Sequence, residues 1–106
     1  MGFFDFLKAP DIDQGVREYH GVPGAVLLDV RTPQEYREGH IPGSKNAPLQ
    51  SLGEGRGVPA GKDVPLFVYC HSGARSRQAA GILTRMGYEN VKNIGGMAAY
   101  TGKVER

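Results

Sequence analysis

The 106-residue sequence contains no tryptophan and only one cysteine, Cys70. A single cysteine excludes an intramolecular disulfide framework, and it excludes the paired cysteines of a CxxC redox motif or a structural zinc site. This cysteine usage is typical of the reducing cytoplasm, where we expect the protein to act. The histidines, His20, His40 and His71, lack the i, i+3 or i, i+4 spacing of a helical metal site, so we predict no metal.

Long apolar runs and a strong excess of one charge are also missing. No stretch approaches the roughly 20 residues that span a bilayer, and the net charge is only +2. Because lysine and arginine are scattered among aspartate and glutamate, the sequence predicts neither membrane nor nucleic-acid partners. Hydrophobic residues make up 40% of the chain, which suits one compact core. We expect a domain over residues 11–106 after an N-terminal tail over residues 1–10, in which Phe3, Phe4 and Phe6 pack on the domain or dock on a partner.

Apolar patterning predicts alternating strands and helices. Residues 25–30 and 64–69 are continuous apolar runs typical of strands buried on both faces, and residues 91–94 predict a shorter third strand. Helical spacing occurs over residues 11–20 and 76–86, while glycine and proline fall between the elements. The alternation indicates an α/β fold in which helices cover both faces of a small, mostly parallel sheet.

The segment after the first strand has the pattern of a capped helix. Thr32 is placed as the N-cap, Pro33 at the first helical position and Glu35 at the third, and we expect the helix to continue to about residue 38. Polar residues are dense here, but we interpret them as structural, with a buried pairing such as Arg31 with Glu35. Residues 50–63 predict a surface loop or one weak helical turn.

The chemistry of the sequence is concentrated in the segment Cys70-His-Ser-Gly-Ala-Arg-Ser76, which runs from a strand into a helix. In a parallel sheet, ligands bind at the carboxyl edge, where Cys70 falls. Backbone N–H groups of a tight loop, made possible by Gly73, form an anion-binding nest, and the helix dipole and Arg75 add positive potential. All three effects favour the thiolate, so we expect the pKa of Cys70 to lie below that of a free thiol. An inert buried cysteine is the simpler alternative, but a polar, arginine-bearing loop disfavours it.

Three motifs, in order along the chain, resemble those of the rhodanese family. The cysteine loop resembles the rhodanese active-site loop, residues 28–48 resemble a second signature, and Asn93-Ile-Gly-Gly-Met97 followed by Tyr100 is similar to a third. Tyr100 departs from the tryptophan often found at that place. The resemblance covers about residues 24–100 and implies the rhodanese-like fold, a cysteine persulfide intermediate, and thiosulfate:cyanide sulfurtransferase activity without a cofactor.

The resemblance also implies a role for each residue of the loop. Cys70 would attack the outer sulfur of a small anionic donor, thiosulfate, and pass that sulfur to cyanide, to a thiol or to a protein acceptor. Arg75 would bind the sulfonate oxygens of the donor. The remaining loop residues would hold the anionic sulfur, chiefly through backbone amides, and they are His71, Ser72, Gly73, Ala74 and Ser76.

Two other functions remain open at this point. A strand followed by a cysteine loop, an arginine and a helix also describes cysteine-dependent phosphatases and arsenate reductases, but their pattern is Cys-x5-Arg. Arg75 stands five residues after Cys70, which gives Cys-x4-Arg and a smaller ring. The second alternative is a rhodanese-like sulfur carrier or interaction module with little turnover.

Overall fold

In the computed structural model, which describes residues 10–106, four parallel strands form one sheet. The strands are β1 (Val26–Asp29), β2 (Lys45–Asn46), β3 (Leu66–Cys70) and β4 (Val91–Gly96). The helices are α1 (Ile12–His20), α2 (Pro33–Glu38), α3 (Ala74–Arg85) and two 3-10 helices, Leu49–Glu54 and Met97–Ala99. The strand order is β2-β1-β3-β4, so the predicted α/β fold with a parallel sheet is confirmed. The predicted tail lies outside the described residues except for Pro10.

Helices cover both faces of the sheet. Successive side chains of an extended strand point to opposite faces, and β1 and β3 supply two separate buried clusters. Leu27 and Phe67 pack with Ile12 and Val16 of α1 on one face. The other cluster packs against α3 and the first 3-10 helix, and it includes Leu28, Val68, Cys70, Leu52, Ala79 and Leu83.

The helix α1 lies unusually close to the sheet because a glycine faces β4. A Cβ atom on Gly15 would lie 2.4 Å from Cβ of Ile94, a distance that no real side chain tolerates. The Asp11 side chain caps this helix by accepting hydrogen bonds from the N–H groups of Asp13 and Gln14 at 3.1 and 3.3 Å. Glycine and cap together fix α1 against the strand that borders the cysteine loop.

The helix α2 forms as its sequence predicts. The Thr32 hydroxyl accepts a hydrogen bond from the Glu35 N–H at 3.2 Å, and the Glu35 carboxylate accepts one from the Thr32 N–H at 3.1 Å. This reciprocal arrangement is a capping box, with Pro33 at the first helical position. The predicted end of the helix at Glu38 is also confirmed.

The helix α3 begins at Ala74, two residues before its predicted start at Ser76. Gly73 is the N-cap residue and has a positive φ of 100°, a conformation that glycine adopts at little cost. This turn carries the chain from the cysteine loop directly into the helix, so Ala74, Arg75 and Ser76 form its first turn.

None of the helices within residues 10–106 combines the length and apolarity needed to cross a membrane.

Candidate active site

Cys70 is the last residue of β3 and lies at the carboxyl edge of the sheet, as predicted from the sequence. It pairs in register with Gly96 of β4, and its side chain is 0% exposed. The Gly73 N–H donates a hydrogen bond to Cys70 Sγ over 2.9 Å. The cysteine loop, residues 70–76, therefore curls back over the sulfur from which it starts.

The surroundings of Cys70 favour its thiolate form. Burial raises the pKa of the Cys70 thiol, but hydrogen bonds from the Ser76 hydroxyl and from the N–H groups of Ser76, Gly73 and Ser72 lower it by more. The pKa of Cys70 therefore lies below that of an ordinary thiol, the direction that the sequence predicts. Hydrogen bonds to the anionic form, rather than a neighbouring cation, account for this shift.

The other residues of the loop divide into exposed and buried positions. His71, Ser72 and Ala74 are exposed, Gly73 and Arg75 are half-buried, and Ser76 is fully buried. The His71 carbonyl accepts a hydrogen bond from the Ala98 N–H at 3.0 Å, which ties the loop to the second 3-10 helix.

Asn93 of β4 holds Ser76 and was missed by the sequence analysis as a site residue. The Ser76 hydroxyl lies 2.7 Å from Asn93 Oδ1, which also accepts a hydrogen bond from the Gly95 N–H at 3.0 Å. A hydroxyl carries one proton, so Asn93 Oδ1 and the Cys70 thiolate compete for it. The signal was present, because Asn93 opens the third motif.

Gly96 allows β4 to lie against the cysteine loop. A Cβ atom on Gly96 would lie 2.3 Å from the His71 carbonyl oxygen and 2.6 Å from Cα and C of Ser72. No side chain fits there, and the backbone of the loop occupies the space instead. Gly96 of the third motif thus forms a surface that supports the loop.

Arg75 pairs with Glu35 rather than standing free beside the sulfur. Its Nη1 and Nη2 atoms lie 2.7 and 3.0 Å from the two carboxylate oxygens of Glu35, an arrangement that uses the planar fork of arginine. The Arg75 side chain lowers the pKa of Glu35 to about 2, with further hydrogen bonds from Thr32.

The predicted pairing of Arg31 with Glu35 is wrong. Arg31 pairs with Asp29: Nε lies 3.0 Å from Oδ1 and Nη2 lies 2.6 Å from Oδ2, and Nη2 also donates to the Gly39 carbonyl at 2.7 Å. Residues two apart on an extended segment project to the same side, which brings Asp29 and Arg31 together. Asn46 Nδ2 donates to the carbonyl oxygens of both residues at 3.0 Å, so the predicted structural role of this polar segment holds for these side chains.

A cleft of about 430 Å³ opens beside the cysteine loop. His71 lies on one side of the cleft. The other sides are formed by residues of α2 and by residues that follow β1 and β4 in the chain. Its lining comprises Arg31, Glu35, Glu38, Gly39, His71, Met97 and Val104. Within residues 10–106, no cluster of three or more histidine, cysteine, aspartate or glutamate side chains is arranged to hold a metal ion.

Comparison with known proteins assigns this fold and site to one class. The rhodanese-like domain family matches residues 13–103. The thiosulfate sulfurtransferase PspE of Escherichia coli is 42% identical over 72 residues, which cover 66% of this chain and 68% of PspE. The putative sulfur carrier protein YrkF of Bacillus subtilis is 39% identical over 80 residues, which cover 74% of this chain and 43% of YrkF. A solved structure of an E. coli rhodanese with anions superposes with a TM-score of 0.65 at 31% identity, covering 77% of this chain and 98% of that one.

The chain belongs to the rhodanese-like domain family, as its three motifs predict. The fold neighbours confirm the predicted rhodanese-like architecture. The relatives described here carry the names of sulfurtransferases or sulfur carriers, so sulfur transfer is the chemistry that the family comparison supports.

Proposed function

We propose that the protein is a thiosulfate sulfurtransferase that carries sulfur as a persulfide on Cys70. The observation that carries this proposal is the set of donors around one buried sulfur: the Gly73 N–H lies 2.9 Å from Cys70 Sγ, and the Ser76 hydroxyl and the N–H groups of Ser76 and Ser72 also lower the pKa of the thiol. Such a set of donors stabilises a thiolate, and after sulfur transfer it would stabilise the terminal anionic sulfur of a persulfide.

The proposed reaction has two displacement steps. The Cys70 thiolate attacks the outer sulfur of thiosulfate; a new S–S bond forms, the sulfur–sulfonate bond breaks, and its electron pair leaves with sulfite. An acceptor, either cyanide or a thiol, then attacks the terminal sulfur, and the S–S bond electrons return to Cys70 as thiolate. This is covalent catalysis, and it predicts ping-pong kinetics.

We propose that the Arg75 guanidinium binds the sulfonate group of the donor while it remains paired with Glu35. The ion pair uses one N–H of each Nη atom, and the guanidinium has five N–H groups. The remaining N–H groups stay available to an anion. The backbone amides of residues 71–76 would hold the transferred sulfur.

Delivery of the persulfide to a protein acceptor is the second candidate. The relative described as a putative sulfur carrier supports it. Phosphatase or arsenate reductase chemistry is less well supported, because the loop has the shorter Cys-x4-Arg spacing and the relatives described above are sulfurtransferases or sulfur carriers. A cytoplasmic location, inferred from cysteine usage, remains a prediction.

Intact-protein mass measurement tests the proposal. The wild-type protein treated with thiosulfate should gain one sulfur atom and lose it again when cyanide is added, with formation of thiocyanate. Cys70→Ser should gain nothing under the same conditions. Failure of the wild-type protein to gain sulfur from thiosulfate or from a persulfide donor would contradict the proposed function.

A further inference from the structure

We propose that the cleft beside the cysteine loop binds the acceptor, and that it selects a small thiol carrying an ammonium group, such as an amino-acid thiol. This inference rests on the proposed function and names the acceptor class for the same sulfur. The cleft has room for a molecule of that size, at about 430 Å³, and its lining includes the residue that follows Cys70 in the chain.

Two charged side chains that line the cleft already have an ion-pair partner within the protein. The Arg31 guanidinium pairs with Asp29, and the Glu35 carboxylate pairs with Arg75. Each pair contributes little net charge to an arriving molecule. The remaining ionisable side chains of the lining are His71 and Glu38, and Glu38 is the one carboxylate among them.

Glu38 is exposed and uncompensated among the described residues. Within residues 10–106 no lysine, arginine or histidine nitrogen lies within 4.0 Å of its carboxylate, and its one hydrogen bond is a long contact of 3.4 Å from Gln34 Nε2. Glu38 thus places an unpaired negative charge at the cleft, which attracts an ammonium group and repels a carboxylate placed at the same position.

Arg31 provides a second, directional contact. Its side chain is more than nine-tenths buried, and its Nη1 atom makes no hydrogen bond within residues 10–106. No buried side-chain nitrogen or oxygen in that part of the chain lacks a partner, so Nη1 must reach solvent, and Arg31 lines the cleft. Nη1 is therefore placed to donate to a carboxylate or carbonyl oxygen of the acceptor.

The apolar part of the cleft suits the carbon chain of the same molecule. Met97 and Val104 line it, and Val104 is the one large hydrophobic side chain that is strongly exposed among the described residues, at 50%. Together the lining offers an acid for an ammonium group, a donor for a carboxylate, and apolar contact for methylene groups.

In the proposed step, the acceptor thiol RSH takes the terminal sulfur atom of the Cys70 persulfide. The acceptor sulfur attacks the terminal sulfur of Cys70–S–S⁻, a new R–S–S bond forms, and the Cys70 S–S bond breaks with its electrons remaining on Sγ. The thiol proton ends on the transferred sulfur, so the products are R–S–SH and the Cys70 thiolate. No oxidant or reductant is consumed.

The test loads the protein with sulfur, removes the donor, and measures the rate of unloading by three thiols of similar size: cysteamine, 2-mercaptoethanol and 3-mercaptopropionate. Rates are compared at equal thiolate concentration. We expect cysteamine to be fastest and 3-mercaptopropionate slowest in the wild-type protein. The persulfide itself repels an anionic thiol, so the effect of Glu38 must be isolated with variants.

Glu38→Lys should lower the ratio of the cysteamine rate to the 3-mercaptopropionate rate by about fivefold or more, which corresponds to about 1 kcal/mol for an exposed charge interaction. Glu89→Lys is the matched control, because Glu89 is exposed and precedes the amino end of β4, away from the loop. It should leave the ratio unchanged. Equal ratios in wild type and Glu38→Lys, or equal shifts in both variants, would overturn the proposal.

The contact with Arg31 has its own test. Cysteine should unload the wild-type protein faster than cysteamine at equal thiolate concentration, because only cysteine has a carboxylate for Nη1. Arg31→Lys keeps a positive charge beside Asp29 but removes Nη1, and it should lose this preference. If that variant does not fold, the wild-type comparison alone decides, since absence of a preference for cysteine contradicts the Arg31 contact. A protein that never gains sulfur would instead refute the proposed function.

Discussion

Arg75 and Glu35 form a two-point ion pair that joins the cysteine loop to the helix α2 across 40 positions of sequence. Glu35 also accepts hydrogen bonds from the N–H and the hydroxyl of Thr32, both at 3.1 Å. One carboxylate therefore completes the cap of α2 and fixes the arginine of the loop. Arg75 belongs to the cysteine loop and Glu35 to the second signature, residues 28–48, which gives a physical reason for the two motifs to occur together.

The ion pair should contribute measurably to stability. In a double-mutant cycle of Glu35→Gln and Arg75→Ala, followed by urea unfolding, we expect a coupling free energy of about 0.5 to 1 kcal/mol. Both side chains are only about one-third exposed, and the geometry is bidentate. The pair of Glu54 with Arg56 is the control, because both side chains are more than 60% exposed and we expect its coupling to be close to zero. Equal couplings in the two cycles would contradict the structural role of Arg75.

The same pair predicts how stability depends on pH. The pKa of Glu35 is about 2 in the folded protein, below the value of about 4.3 for an unperturbed glutamate. A carboxylate whose pKa is lower in the folded protein than in the unfolded protein stabilises the fold fully at any pH above the unfolded-state pKa. This stabilisation is lost as the pH falls towards the folded-state pKa. The difference in free energy of unfolding between wild type and Glu35→Gln should be constant above about pH 5.5 and should shrink between about pH 5 and 2. Parallel stability curves throughout that range would argue against the pair.

Ser76 should set the pKa of the nucleophile. Ser76→Ala removes the hydroxyl whose hydrogen bond lowers the pKa of Cys70, because a hydrogen bond to the thiolate stabilises the charged form. Thiolate absorbance at 240 nm, titrated with pH, should show the pKa of Cys70 rising in this variant. The rate of sulfur loading at neutral pH should fall with the thiolate fraction. Ser51→Ala is the control, because the Ser51 hydroxyl contacts only the Pro48 carbonyl and should affect neither quantity.

Gly96→Ala should displace the cysteine loop. The new Cβ would meet the backbone of His71 and Ser72 at 2.3 to 2.6 Å, and backbone cannot move aside as a flexible side chain does. We expect a loss of about 1 to 3 kcal/mol in stability and a large decrease in the rate of sulfur loading. Gly53→Ala is the matched control, since nothing lies within 4 Å of its added Cβ. Normal loading by Gly96→Ala would show that β4 does not position the loop.

Features set by neighbouring residues could be predicted from the sequence. The capping box at Thr32 depends on residues three apart, and the strands over Val26–Asp29 and Leu66–Cys70 depend on continuous apolar runs. The position of Cys70 at the carboxyl edge followed from the order of strand, loop and helix. These features need no knowledge of how distant segments meet.

Features set by distant segments could not be predicted in the same way. The prediction for Arg31 chose a partner four residues ahead, whereas the extended backbone brings Asp29, two residues behind, to the same side. The partner of Glu35 lies 40 positions away, and that of Ser76 lies 17 positions away on the strand β4. Each contact depends on which strands are neighbours and on their register, and apolar patterning does not reveal either.

Cys70, the proposed nucleophile, is also the last residue of β3 and pairs with Gly96 of β4. Its strand has a neighbour on each side, so moving the backbone of Cys70 requires opening the centre of the sheet. In such a strand the free energy of local opening approaches that of global unfolding. The backbone of the proposed nucleophile is thus held in place for as long as the sheet is folded, so a local change that lowers sulfur loading in a folded protein must act on the donors of the loop and not on the position of Cys70 itself.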